Sequence, residues 1–430
     1  MSGMMLNVVG GTFGGNVLYW IGLLGGGSFD SGNGVAVDGS GNAYICGYSN
    51  ASGIENFQIA KYSTLGAIQW QRRLGDAGAA TECNSIAVSS AGNVYICGLS
   101  EASGTFDLQI AKYNTSGAIQ WQRRLGGADN DYGYSVAIDA SENVYVVGQS
   151  GSNGDLQIAK YNTSGTIQWQ RSISEVVGYT QKGYGIAVDA SGNSYSVGYS
   201  YIPITSSNDG ILFKYDTSGT LQWQMSFGDG NTDISNAVAV DSSGDVYVCG
   251  YHGIGGVNDI QIAKYNSSGT IQWQRKLVAS NGAIGFSVAT DLSNNVYICG
   301  QGNNSTQLDG ILAKYNASGV IQWQRSLGGT AVEVLKGVFV QGESVFVCGR
   351  STASGSNDFL FAKLPIDGSA TGTYTVGGYS FIYGASTLTD AATTFSSITA
   401  TFTSSTSTLT DTATTLTDAA TTLTSSVTTI

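Results

Sequence analysis

Apolar residues in this chain come in short runs bounded by Gly, Ser, Asn and Asp, and the runs return in a fixed order. The stretch "NSIAVSSAGNVYICG" (84–98) predicts a strand A, a tight turn at Gly92-Asn93 and a strand B. "LQIAKYN" (108–114) predicts strand C, and "AIQWQRRL" (118–125), after "TSG", predicts strand D. The phrase "NTSGAIQWQRRLGG" (114–127) comes back at 162–171, 216–225, 266–275 and 316–325. Trp20, Trp70, Trp121, Trp169, Trp223, Trp273 and Trp323 mark the period, with spacings of 50, 51, 48, 54, 50 and 50 residues. Periods of about 40 to 50 residues with β-type pattern belong to propellers or solenoids. A four-stranded antiparallel unit per period is a propeller blade.

Strands A, B and C occur seven times, beginning near 35, 85, 135, 185, 237, 287 and 337, but the last copy lacks the Trp phrase. The segment "NVLYWIGLL" (16–24) has the missing pattern, with Leu18, Trp20 and Leu24 matching Ile119, Trp121 and Leu125. The expected fold class is therefore all-β, a seven-bladed propeller closed by an N-terminal strand, which removes a free sheet edge. An alternative donor of that strand is "TGTYTVGG" (371–378). The predicted boundaries are a lead at 1–16, the propeller at 17–372, a linker at 373–384 and a tail at 385–430.

The tail has a second period. Leu388, Phe395, Phe402, Leu409, Leu416, Leu423 and Ile430 fall every seventh residue, with Ile398 and Val427 at the intervening i+3 and i+4 places. An odd period throws alternate large residues to opposite faces of a strand but keeps them on one seam of a supercoiled helix. These nine residues are the predicted oligomerisation seam of a coiled coil, with a homotrimer expected. Thr costs up to about 0.7 kcal/mol per helical residue against Ala, so such a helix needs association to persist. A glycosylated or disordered Ser/Thr stalk is the alternative.

Composition narrows the partners. The formal net charge of −12 repels phosphate backbones, so no nucleic acid is expected. The first basic residue is Lys61, and no apolar run of about 18 residues occurs, so neither a secretory leader nor a membrane span is expected. Cys46, Cys97, Cys249, Cys299 and Cys348 hold one equivalent place, filled by Val147 and Val197 in the other repeats, which marks a packing position. Lying in different blades, they are expected to form neither disulfides nor a metal site. Lys61, Lys112, Lys160, Lys214, Lys264, Lys314 and Lys363 stand once per repeat and are read as inter-blade packing.

Chemistry is sparse. His252 is the single histidine, so Ser-His-acid and Cys-His catalysis could be built around it alone. "DGNTD" (229–233) starts like a calcium loop, yet Ile234 and Val240 stand where Gly and the bidentate Glu belong, so a turn is expected. No metal, no cofactor and no catalytic residues are predicted, although a carboxylate pair stays open. The A–B and C–D turns share one face of the ring, while the B–C and D–A loops share the other and differ freely. On that variable face Tyr132, Tyr134, Tyr179, Tyr184, Tyr199, Tyr201, Tyr251 and His252 are the candidate ligand-binding residues, suited to a sugar ring or a partner protein.

The units "VAVDASGNxYxVG…DxxxxKY[ND]xSGx[IL]QW" resemble the bacterial β-propeller repeat family over roughly residues 17–364. The resemblance implies the fold and says little about activity. A propeller head with a repetitive "LTDAATT" tail is similar to phage virion components such as fibres, tail appendages and head decorations. The expectation is a non-enzymatic structural and adhesion protein of a virion, made in the host cytoplasm, that meets a host glycan or other virion proteins. A bacterial surface binding protein is the alternative, and a polysaccharide-acting enzyme the third reading.

Overall fold

Strands B and C are apolar along nearly their whole length because each lies inside a sheet that packs on both faces. In the computed structural model every residue of Asn56–Tyr62 and Val94–Ser100 is buried. The structure describes residues 19–25, 29–50, 53–75, 78–101, 104–151, 154–174, 180–202, 207–303, 307–392, 397–399, 403–406, 410–413, 417–420 and 424–429, those beyond 392 by backbone alone. Each repeat is an antiparallel sheet in the order A-B-C-D, as in Thr81–Val88, Val94–Ser100, Asp107–Tyr113 and Ile119–Gly126. Seven such sheets form the ring, with the seven A strands lining its centre.

Neighbouring blades share their cores. Tyr44, Cys46 and Ile59 of the first blade pack with Val94, Ile96, Ala111 and Tyr113 of the second. Cys83, which has no counterpart in the other repeats, is brought by this packing beside Cys46 of the first blade, both thiols free and buried.

The repeated phrase works as a clasp between blades. Asn114 Oδ1 accepts the amides of Ser116 and Ala118, shaping the C–D turn. That turn is held by the preceding blade: Trp70 Nε1 donates to Thr115 O at 3.2 Å, and Arg72 Nε donates to Gly117 O at 2.7 Å. Lys61 Nζ sits 5.0 Å from the Tyr44 ring centre and donates to the same Thr115 carbonyl. A Cβ on Gly117 would come within 2.9 Å of the Trp70 ring, and φ there is +75°, so only Gly fits. The lysines are thus packing residues that join neighbouring units.

Trp20–Gly25 is strand D of the seventh blade, paired antiparallel with Asp358–Pro365 in the register Trp20↔Lys363 to Leu24↔Phe359. Trp20 is buried against Tyr62 and Phe361, and its Nε1 donates to Thr64 O of the first blade. The N-terminal strand therefore makes the same clasp as the other six Trp and shuts the ring. The alternative donor segment lies elsewhere. Gly372–Val376 and Tyr379–Ala385, placed by the sequence reading in and around a linker, form a hairpin added to the outer edge of the sixth blade.

Where the heptads predict a helical seam, the described tail residues are short strands. Thr389–Ala392, Ser397–Thr399, Thr403–Thr406, Thr410–Ala413, Thr417–Ala420 and Thr424–Thr429 pair antiparallel with strand D of blades five, four, three, two, one and seven in turn. Each heptad serves one blade. The physical reason is that every D strand offers an open row of backbone donors and acceptors, and Thr-rich segments favour extended backbone over helix. Leu388, assigned to the seam, is instead buried with Ala279, Ala283 and Ile311 between blades five and six, and Gln324 Nε2 donates to its carbonyl at 2.6 Å. Ile398 and Val427 lie in strands, while Phe395, Phe402, Leu409, Leu416, Leu423 and Ile430 lie outside the described residues.

One irregular repeat explains itself through its neighbour. In most blades the A–B turn carries an Asp whose carboxylate accepts the strand-B Tyr hydroxyl, as Asp38 does from Tyr44 at 3.0 Å. Ser89 replaces that Asp in the second blade, and Glu142 of the third blade, at φ +60°, reaches across to accept from Tyr95 at 2.7 Å and from Asn93.

Two predictions follow from this packing. Glu142→Gly lowers stability, and adding Ser89→Asp to it restores about 2 kcal/mol, the worth of a hydrogen bond to a charged group; Ser89→Asp alone sets two carboxylates against each other and destabilises. Denaturant unfolding of the double-mutant cycle reads this. A variant ending at Ala385 keeps the association state of the full-length protein in light scattering, whereas its D-strand amides exchange hydrogen faster; a threefold drop in the number of chains per particle with unchanged exchange would restore the helical seam.

Candidate functional site

Strand A of every blade breaks register at one place near the variable face. The shifts fall between 32/34, 83/85, 133/135, 183/185, 235/237, 285/287 and 335/337. A β-bulge re-aims the extra side chain, and here the extra residues are Asn33, Asn84, Tyr134, Tyr184, Asn236, Phe286 and Lys336. All seven line the central channel, a cavity of about 460 Å³. The bulge also drives a strand-A carbonyl against strand B: a Cβ on Gly98 would lie 1.8 Å from Glu82 O, which is why the "CG" of strand B keeps its Gly.

The mouth of this channel has two unlike halves. Across blades two to four the rings form a continuous arc: Phe106–Tyr132 at 5.8 Å, Tyr132–Tyr134 at 6.2 Å, Tyr134–Tyr184 at 5.1 Å and Tyr184–Tyr199 at 5.7 Å between centroids. Tyr251 continues it, its hydroxyl pushed up by burial and by nearby Tyr199. Beside the arc a cleft of about 410 Å³ is lined by Asp129, Asn130, Tyr132, Tyr134, Gln149 and Lys182. Gln149 Oε1 is buried there with no hydrogen-bond partner in the protein.

The opposite half is charged. Lys336 Nζ donates to Asn33 Oδ1 at 2.8 Å and Ser31 Oγ at 3.1 Å, and burial together with neighbouring Arg350 pulls its pKa down to about 8. Burial and a hydrogen bond with Glu55 push the Glu82 carboxyl up to about 7. Burial and these two carboxylates also raise the Tyr48 hydroxyl.

The structure thus gathers Tyr132, Tyr134, Tyr184, Tyr199 and Tyr251 from the sequence-predicted set. Tyr201 is two residues past Tyr199 on strand B, half-buried, and Tyr179 lies outside the described residues. His252 departs from its expected place on the rim: it is 2 % exposed, with Nδ1 2.8 Å from Asp233 Oδ1. Sequence reasoning missed Tyr48, Glu55, Glu82, Lys336 and Arg350. For Lys336 the available signal was its place in strand A, where the other repeats carry Asn33, Asn84, Tyr134, Tyr184, Asn236 and Phe286.

A β-propeller repeat model (SBBP) matches residues 20–55, 69–103 and 120–155. No curated protein matches by sequence. Among solved structures, the polysaccharide lyase Uly1 is 10% identical, covers 78% of this chain and 90% of its own, and superposes with a TM-score of 0.49. Sqt1 from Chaetomium thermophilum is 8% identical over 78% and 96%, with a TM-score of 0.47. The tail fibre of Staphylococcus aureus phage P68 is 12% identical over 80% and 93%, with a TM-score of 0.29. At such identity these likenesses say nothing of activity. The matched repeats and the ring of seven blades together identify a protein built of β-propeller repeats.

Proposed function

We propose that the protein is a non-enzymatic adhesion component of a virion that binds a glycan at the tyrosine-lined half of the channel mouth. The cleft beside Tyr132 and Tyr134 carries the reading. Flat rings stack on the C–H faces of a sugar, while Asp129, Asn130, Gln149 and Lys182 offer carboxylate, amide and ammonium groups to its hydroxyls. The virion setting rests on the similarity of the Ser/Thr-rich tail to those of phage fibres and appendages, and a bacterial surface setting would use the same cleft.

A second reading has its own observation. Glu82, hydrogen-bonded to Glu55 and near Lys336, holds its proton close to neutral pH, as a general acid does. That arrangement would suit a polysaccharide-acting enzyme.

A glycan array separates the readings. Tyr132→Ala weakens binding of the retained glycan about thirtyfold, the ~2 kcal/mol of an interface anchor. Leu292→Ser, on the opposite face and 96% exposed, leaves it unchanged. Release of shortened glycan by the wild type but not by Glu82→Gln would replace adhesion with catalysis. The same pair makes stability depend on pH. Because the folded protein keeps the Glu82 proton to about pH 7 while the unfolded chain releases it near 4.5, its stabilisation is complete below 4.5 and fades as pH rises through 7. In thermal melts across pH 4 to 8, Glu82→Gln flattens that slope.

A further inference from the structure

At the junction of blades four and five, three carboxylates meet the single histidine. Asp233 is the second residue of strand A of blade five (Thr232–Val240), His252 lies near the end of its strand B (Val246–Ile254), Asp229 lies in the loop before Asp233, and Asp209 belongs to strand C of blade four. His252 Nδ1 is 2.8 Å from Asp233 Oδ1, and its Nε2 is 3.6 Å from Asp229 Oδ2. One ligand atom from each of these three residues lies within 4.8 Å of the others. Asp233 is fully buried, yet its Oδ2 has no hydrogen-bond partner; neither has Asp209 Oδ1. Both oxygens flank Gly228, where an added Cβ would come 2.6 Å from Asp209 Oδ1 and 3.1 Å from Asp233 Oδ2. These orphan acceptors therefore face one small space.

The other blades show what an ordinary junction looks like. Ser49, Ser100, Ser150, Ser200 and Ser351 occupy the place of His252. Ser351 Oγ donates to Glu333 Oε1 at 2.8 Å, which suffices for that acid. Asp107 is paired with Arg124 at 3.3 Å and Asp259 with Lys276 at 3.3 Å. Beside Asp209 the matching residue is Ser226. This junction has thus gained Asp229 and an imidazole, and like those of Asp155 and Asp309, with Ser172 and Ser326, it carries Ser where Arg124 and Lys276 stand.

We propose that Asp229, Asp233 and His252, with Asp209 beside them, form a binding site for one divalent cation of the Zn²⁺ class. An N···O gap of 3.6 Å is too long for a hydrogen bond. It is close to the ~3.4 Å between two ligands on a tetrahedral ion with bonds of about 2.0–2.1 Å. Mixed imidazole and carboxylate donors suit Zn²⁺ or Mn²⁺, whereas Ca²⁺ takes oxygen alone. The ion neutralises three clustered acids and ties the loop between the two blades to strand B immediately after Tyr251.

Isothermal titration of the untagged, chelator-stripped full-length protein with ZnCl₂, MnCl₂ and CaCl₂ tests the site. His252 is the only histidine and every described cysteine is buried, so competing zinc sites are few. The expected result is one Zn²⁺ per chain, bound at least a hundredfold more tightly than Ca²⁺, with a raised melting temperature. His252→Ser restores the residue that five other blades carry, so it keeps the fold and loses Zn²⁺ affinity at least a hundredfold; Asp233→Asn loses it too. No zinc uptake by the wild type, or equal uptake by folded His252→Ser, overturns the proposal.

Discussion

The unsatisfied edge of a β-sheet is the constraint on which this architecture depends. A strand at an edge presents a row of backbone N–H and C=O groups that must find partners or risk pairing with another chain. Circular arrangement alone does not solve this, because each blade still has an outer D strand. The chain meets the problem twice. Trp20–Gly25 fills the D position of the seventh blade, joining the two ends of the propeller by strand pairing. The described tail strands and the hairpin strand Tyr379–Ala385 then cover the D strands, running back around the ring from blade six to blade seven.

Within that frame, repeated phrasing and free positions divide the labour. The Trp, Arg and Lys of one blade hold the C–D turn of the next through its carbonyls, as at Thr115 and Gly117. Ring placement over Tyr, at 5.0 Å for Lys112 on Tyr95, adds a cation–π contact in a dry junction. These contacts tolerate little change, so the turn face repeats. At the other end, the strand-A bulge frees one side chain per blade from ladder and core duties. Those side chains, together with the last residues of strand B, make the channel mouth, and there the chain places tyrosines on one side and Glu82, Lys336 and Arg350 on the other.

The repeated unit, its count and its closure were legible in the sequence. Strand period, turn residues and the register of Trp20 against Trp121 are local patterns, and a missing seventh D strand leaves one plain edge to fill. The packing role of the repeated lysines was legible for the same reason. The heptad tail was not legible from its period, because period seven is compatible with two structures: a helical seam, or one short strand per blade as the described segments have it. Composition could not choose between them, whereas open outer edges favour strands.

What only the tertiary structure decided lies between blades. Cys46 meets Cys83, Glu142 serves Tyr95, and Asp209 joins Asp229, Asp233 and His252, each time from segments about 20 to 50 residues apart. Such meetings depend on which face of one sheet packs on its neighbour and on a single-residue register shift in strand A. A bulge leaves no period in the sequence, because it is one residue that breaks the period. The sequence alone therefore determined a closed ring of repeats, since periodicity and unpaired edges are local properties of the chain. The channel mouth and the buried junction were decided by sheet-to-sheet packing, which brings distant letters within reach only after folding.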